Sequence, residues 1–541
     1  MQDEIETKEK LYQKIPKNIV RIIFVVIIFL MLFIGISSFF ITAYFEQRPE
    51  SANELTLYKA DIIILNIILI PLMLFLIYKF TKINPRIYKK IVLIAFLVIF
   101  ITQLIWVLNL KTMPVADQSD VVQIGEDWHN KEKMDYYTKP YGYIGRYPFQ
   151  IGFSKYVDII YHIFNSTDYM NLEILNVVYS LVILYTMYLI TKKLFKDNVT
   201  SKIAFLLIFG FSLYFLFFNP HIYGNIIGLM FALFAIYATI SYLESKKIYK
   251  LFLIGLFILI SIILKSNYNI FLCGIMCTLI YEFIKNKKVR DILGAICIIL
   301  IYLLGKASFY NYIEKSLDVK LPDGIPMISY LYMGMAEPRA LSPGWYTADT
   351  MEIYDECGQD TQKASDMAKK LLVDRTKYML THPVYMFGYY SEKYASTWLN
   401  PTFQTVWCSK PGPKLVMYPE YKDYFETKTF VKSMLGGTAF EIEEIYFNTY
   451  QVIIFIFGAY GILKIYKRDE SKHVLLPIIF LGGFVFHMIW ETKAIYVLQY
   501  YLILLPYCAY GLSKFYDKIK GKNIILECSN KIKKEILNHG K

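Results

Sequence analysis

Apolar residues along this chain fall into long uninterrupted runs rather than into the 3.6- or 2-residue periods of soluble helices and strands. Twelve runs stand out: 20–44, 60–80, 90–110, 173–192, 201–219, 222–243, 249–265, 267–285, 288–307, 447–466, 472–490 and 494–514. A membrane-spanning helix needs about 20 apolar residues, each rising about 1.5 Å. The pattern therefore predicts an all-α polytopic membrane protein with about twelve transmembrane helices. The weakest stretch is 249–285, where Lys265-Ser266-Asn267-Tyr268-Asn269 splits it into two short halves. The first run is long enough to span and no clear small-residue cleavage site follows it, which favours a span over a signal peptide.

Two polar connections are long: 111–171 and 309–446. The first contains Arg146-Tyr147-Pro148-Phe149-Gln150, after which polar Lys155, Asp158 and His162 are interleaved with Phe153, Tyr156, Val157, Ile160, Tyr161 and Phe164. That spacing predicts an amphipathic helix lying in the membrane interface. In the second, 361–381 reads as a helix with Ala364, Met367, Ala368, Leu371, Leu372 and Tyr378 on one face, ended by His382-Pro383. A second helical run follows over 384–399. Strand-like alternation is scarce, so this segment is expected to be mainly helical.

Composition agrees with the pattern. Of 541 residues, 56% are hydrophobic and only 19% charged, against about 25% charged in soluble domains. This excludes an ordinary soluble enzyme, a disordered chain and a disulfide-stapled secreted domain. The net charge of +13 is a topological signal rather than a nucleic-acid footprint, and no nucleic-acid partner is expected. Lys and Arg cluster before the first run, in alternate short connections (Lys82, Arg86, Lys89, Lys90; Lys192, Lys193, Lys196, Lys202; Lys285, Lys287, Lys288, Arg290) and in the tail from Lys514. The positive-inside rule then predicts a multi-pass cell-membrane protein with both termini cytoplasmic and both long connections outside. The seven Cys form no CxxC pair; Cys357 and Cys408 share the second long connection, bonded or as free thiols.

Chemistry is to be sought on the outer face. Asp117 and Asp120 follow the third run at i, i+3 spacing, on one side of a helical turn. Asp127 and His129 would be the nearest further metal ligands, a weak signature with one His, so the metal requirement stays open. Glu491 sits in the connection between the last two runs. There is no GxGxxG and no GxxxxGK[ST], which argues against a nucleotide-driven pump.

The order of these features resembles the GT-C superfamily of polyprenyl-phosphate-sugar-dependent glycosyltransferases. The closest group is the bacterial relatives of protein O-mannosyltransferases and the aminoarabinose transferase (family 39-like). The matching pieces are Asp117 and Asp120 after an early span, RYPFQIG, Tyr223-Gly224 after Asn219-Pro220, Lys265, GMAEPRALSPGWY, Lys393 with Trp398, and WETKAIY. Two positions depart from the family pattern: Asn225 where an acid often follows Tyr-Gly, and Ile495-Tyr496 where Arg-Tyr often stands. The resemblance covers the chain from about residue 90. It implies an N-terminal addition of a tail and two spans (1–89), a GT-C-like core (90–308), a large extracytoplasmic segment (309–446) and three last spans with a basic tail (447–541).

What the resemblance implies about activity is transfer of a sugar from a polyprenyl-phosphate donor to a hydroxyl of a glycan, lipid or protein acceptor, on the extracytoplasmic face. Membrane lipid is then a further partner. Asp117 would be the base of an inverting displacement, with Asp120 as its orienting or metal-binding partner. The donor phosphate would be held by a subset of Arg146, Lys265, Arg339 and Lys393. Tyr147, Gln150, Tyr223, Trp345, Tyr346, Glu491 and Tyr496 would line the substrate site. Two rivals share the topology, a transporter or flippase of lipid-linked sugars and a polysaccharide polymerase. The first would more often show two similar halves and mid-span charges, and no internal repeat is visible here.

Overall fold

The computed structural model describes residues 2–45, 56–110, 114, 116–339, 342–409, 429–468 and 470–520. Lys111, Ala340 and Leu341 of the GMAEPRALSPGWY motif, residues 410–428 and the basic tail after residue 520 lie outside them. The described chain is helical apart from one antiparallel hairpin, Ile41–Phe45 with Thr56–Ala60. Ten helices are long and apolar enough to cross a membrane, and the bent pair Ala494–Leu502 and Leu505–Lys520 makes an eleventh if it is one span. The remaining run forms Tyr249–Leu264, of 16 residues. At about 1.5 Å each these cover about 24 Å of a hydrocarbon core of about 30 Å. The architecture is all-α and polytopic, with ten to eleven full-length apolar helices where the apolar pattern predicts twelve.

Local differences from the pattern have local causes. The first helix stops at Phe40, and Ile41–Phe45 leaves it as a strand. That strand is held from outside: Ala43 N–H donates to the Leu399 carbonyl (2.9 Å) and the Asn400 amide donates to the Ala43 carbonyl (2.8 Å). The run 288–307 continues as one helix to Leu317, ended by Asp318 in the left-handed region (φ 51°). The last span bends by 51° just before Pro506, whose ring removes a helical donor and clashes with the carbonyl four residues back. In the second long connection the two expected helices form as Thr361–Thr381 and Pro383–Trp398, among shorter ones. Ala364, Ala368 and Met379 are buried, while Met367 and Tyr378 are exposed. Cys357 and Cys408 are not bonded to each other.

The two leading helices are built into the bundle. The helix Gln2–Phe40 packs along Thr438–Ile465, and the Asn448 amide donates to the Ser38 carbonyl (2.8 Å) and to Thr42 Oγ1 (2.9 Å).

The two long connections meet at one end of the bundle, where Ile325 N–H donates to the Arg146 carbonyl (3.0 Å). The amphipathic helix forms over Ile151–Phe164, with Phe153, Val157, Ile160 and Tyr161 buried and Ile159, Ile163 and Phe164 exposed. Its Gly152 lies against the Ile263 carbonyl with no room for a Cβ. This close approach sets the helix on the end of Tyr249–Leu264, beside Lys265.

A second glycine packs against the next residue of the same helix end, Leu264. Gly224 has φ +78° and caps the helix Asn225–Ser245, and a Cβ there would overlap the Leu264 carbonyl oxygen. Gly224→Ala combines a left-handed backbone penalty of roughly 1–2 kcal/mol with overpacking of roughly 1–3 kcal/mol. Thermal unfolding of the purified variant in detergent is expected to show a loss of about 2–5 kcal/mol. An unchanged midpoint would mean that the loop does not need this backbone.

Candidate active site

A cavity of about 370 Å³ opens where the two connections meet. Eight of the residues singled out in the sequence line it: Asp117, Tyr147, Gln150, Tyr223, Lys265, Tyr346, Glu491 and Tyr496. They come from six separate stretches of chain.

Asp117 begins the helix Asp117–His129, and both Asp117 and Asp120 fall in its first turn. Free N–H groups and the helix dipole favour negative charge there. The neighbouring Gln118 is buried and anchors the helix, its Oε1 accepting Ile222 N–H at 2.9 Å. This ties the helix start to the loop before Tyr223, and Tyr223 O–H donates to Asp117 Oδ2 at 2.8 Å. The Tyr223 hydroxyl also accepts from the Gln150 amide and lies 3.4 Å from the Tyr143 hydroxyl. Three elements thus fix the orientation of one carboxylate.

Lys265 stands at the break between Tyr249–Leu264 and the 3₁₀ turn Ser266–Tyr268, with an extended backbone (φ −156°, ψ 112°). The break is held by the Tyr268 hydroxyl on the Asn225 carbonyl and by Ser261 Oγ on the Gly228 carbonyl (2.7 Å). The ammonium is buried, 3.3 Å from the centroid of the Tyr223 ring, and feels the charges of Asp117 and Glu491. Burial pushes its pKa down to about 7, a shift that the Asp117 and Glu491 charges oppose, as does an aromatic face under the ammonium.

The far wall is acidic and aromatic. Tyr496 O–H donates to Glu491 Oε1 at 3.3 Å. Burial pushes the Glu491 carboxyl above the usual range, Lys493 opposes that shift, and the Asp117 charge adds to it. Tyr330 and Phe486 stack on Trp490 at 6.3 Å and 5.1 Å between centroids. Flat aromatic faces beside a few placed polar groups suit a ring with one apolar and one hydroxylated side.

Asp120 and four other predicted site residues lie outside the cavity lining, as does the candidate metal ligand Asp127. Arg146 is paired with Asp355 (2.8 Å) and Arg339 with Asp349 and Glu352, so each guanidinium already has a carboxylate. Lys393 is buried behind the cavity, donating to the carbonyls of Gly334 and Trp490 (2.8 Å), and burial pushes its pKa down to about 7. It clamps the second connection to the loop before the last span. Trp345 is buried against Phe45 and donates to Ser396 Oγ at 3.3 Å. Asp127 is not beside a metal-ligating partner of its own: it accepts from Gln123 (2.7 Å) and from Tyr137 O–H (2.5 Å).

Asp120 is half-buried outside the cavity lining. Burial, with the Asp117 charge next, raises its pKa to about 6. The folded chain therefore holds this proton more tightly than the unfolded chain, whose Asp titrates near 3.9. Stability from the protonated form is lost as pH rises from about 4 through about 6, and at pH 7.5 the ionised group weighs on the fold. Asp120→Asn is expected to stabilise the protein by about 1 kcal/mol at pH 7.5, after allowing for solvent screening, and to be neutral near pH 4. Thermal unfolding at the two pH values decides it, and a loss of stability at pH 7.5 would show that the charge has a bound partner.

The structure adds residues that the sequence reading passed over. Lys306 lines the cavity from the helix Val289–Leu317 and is exposed beside Met327, whose exposure of 61% marks the mouth. Its signal was a lone Lys at the outer end of an apolar run. His487 is buried in the wall; its Nδ1 lies 3.2 Å from the Glu491 carbonyl, and its Nε2 has no hydrogen-bond partner. With Nδ1–H donating, Nε2 is left as an acceptor. Tyr143 and Tyr330 also line it. The cations lining the cavity, among the described residues, are Lys265 and Lys306.

The chain matches no protein-family model and no curated protein.

Proposed function

We propose that this protein is a membrane glycosyltransferase that moves a sugar from a polyprenyl-phosphate donor to an acceptor hydroxyl on the extracytoplasmic face. The observation that carries the reading is the joint placement of a fixed carboxylate, Asp117, and a buried cation, Lys265, on one aromatic-walled cavity, bridged by Tyr223. Asp117 takes the proton of the acceptor hydroxyl as its oxygen attacks the anomeric carbon. The bond from that carbon to the donor phosphate breaks, and the lipid phosphate departs with the bonding pair. Lys265 and Lys306 neutralise the charge that develops on it. One displacement inverts the anomeric centre.

The lipid tail would leave past Lys306, along the exposed Leu300, Leu303 and Leu304 of the same helix. Tyr147, Tyr346 and Trp490 offer faces for the sugar. Gln150 and His487 offer polar contacts. The alternating Lys and Arg clusters support cytoplasmic termini, which place the cavity outside, where no nucleotide-sugar pool is expected and a lipid must deliver the donor.

The test is transfer from synthetic polyprenyl-phosphate sugars by the purified full chain, with candidate acceptors. Product carrying the inverted anomeric configuration supports the reading. Movement of the intact lipid-linked sugar across proteoliposomes, with no covalent product, would replace it with a flippase.

A further inference from the structure

At the far end of the helix that begins with Asp117, His129 meets Asp158 and His162 of the amphipathic helix. His129 Nδ1 and His162 Nδ1 lie 3.1 Å apart, and His162 Nδ1 lies 3.0 Å from Asp158 Oδ1. Two ligand atoms on one zinc ion at about 2.0–2.1 Å stand about 3.3 Å apart in a tetrahedral site. Two of the three pairs therefore already have the spacing of a ligand set, and the ligand atoms of all three residues lie within 4.8 Å of one another. Asp158 and His162 sit at i, i+4, on one helix face.

A second observation points to a ligand. Asp158 is 3% exposed, and its Oδ1 accepts no hydrogen bond: His162 Nδ1, 3.0 Å away, is in hydrogen-bond contact with the Asp158 backbone carbonyl (2.9 Å) instead. A buried carboxylate oxygen without a donor is costly. Its other oxygen accepts from Lys155 Nζ at 2.7 Å, and that ammonium lies 4.3 Å from the centroid of the Trp128 ring. A carboxylate held by a neighbouring donor and turned with its free oxygen toward two imidazoles is the arrangement that outer-shell contacts give to a metal ligand. The His162 side chain is 54% exposed, which leaves room for water as a further ligand.

We propose that His129, Asp158 and His162 bind a divalent transition metal of the zinc class. Two imidazoles and one carboxylate favour such an ion over Mg²⁺ or Ca²⁺, which take all-oxygen sets. The site lies roughly 18 Å along the helix from Asp117, by its rise per residue, so it is separate from the cavity. The metal joins the outer end of the Asp117 helix to the amphipathic helix that starts at the cavity. The role is a staple between two cavity walls, and it does not rest on the proposed transferase activity.

The experiment uses the full chain in detergent, stripped with a chelator. Zinc content after equilibration, zinc affinity by calorimetry and thermal unfolding with and without zinc are measured for wild type, His162→Gln and His129→Ala/His162→Gln. Wild type is expected to hold one zinc per chain and to unfold at a higher temperature with zinc than without. The exposed His162→Gln is expected to weaken zinc by at least about 100-fold while unfolding like wild type in chelator. Asp117→Asn is expected to keep the metal. Absence of zinc from wild type, or equal zinc in wild type and the double variant, overturns the proposal and leaves a plain hydrogen bond between the two imidazoles.

Discussion

Asp117→Asn is expected to lower turnover from a polyprenyl-phosphate sugar by at least about 10²-fold with donor affinity retained. The substitution keeps the side chain's shape and its place in the first helical turn. The amide oxygen can still accept the Tyr223 hydroxyl, so the orienting contact at 2.8 Å survives. What is lost is the negative charge and the ability to take a proton. A group that acts only as the hydrogen bond fades from the acceptor oxygen contributes to the transition state and not to the ground state, so kcat falls and the donor Kd does not. Single-turnover transfer and donor binding, both on purified protein, separate the two. Near wild-type turnover in Asp117→Asn would remove it from the mechanism and make Glu491, on the opposite wall, the next base to test.

Lys265→Gln is expected to lower turnover by about 10²–10³-fold and to weaken the donor, because a buried preorganised cation is lost where phosphate charge develops. The magnitude follows from its place. Lys265 is buried over the Tyr223 ring at the helix break, where little water can substitute for it. Lys306 is exposed at the mouth, and Lys306→Gln is expected to cost about tenfold or less. Arg339→Gln is expected to stay within about twofold of wild type, since its guanidinium is exposed and spent on Asp349 and Glu352. Unchanged donor binding and turnover in Lys265→Gln would move the phosphate to another part of the cavity.

The elements of this fold were readable wherever local chemistry decides them. Long apolar runs can satisfy backbone groups in lipid only as helices, and every predicted run is helical over most of its length. The amphipathic helix Ile151–Phe164 was readable from its interleaved polar positions, and the stop at His382-Pro383 from proline's missing donor. The count was less secure, because Tyr249–Leu264 is shorter than its apolar run and the last span bends at Pro506. The hairpin after Phe40 was not readable, since its strand is held by Leu399 and Asn400, more than 350 residues away.

The same division holds at the candidate site. The sequence by itself determined which residue types the outer face offers: carboxylates after the third run, a lysine at a helix break, aromatics throughout. Those follow from composition and spacing along one segment. Which of them share a cavity was decided only by tertiary structure, because the six contributing stretches are brought together by contacts between segments, among them Gln118 to Ile222 and Gly224 against Leu264. Charge carries no address along a chain. Arg146, Arg339 and Lys393 read the same as Lys265 in one dimension, and only packing shows that the first two meet carboxylates, the third meets backbone carbonyls, and Lys265 faces the cavity beside Asp117.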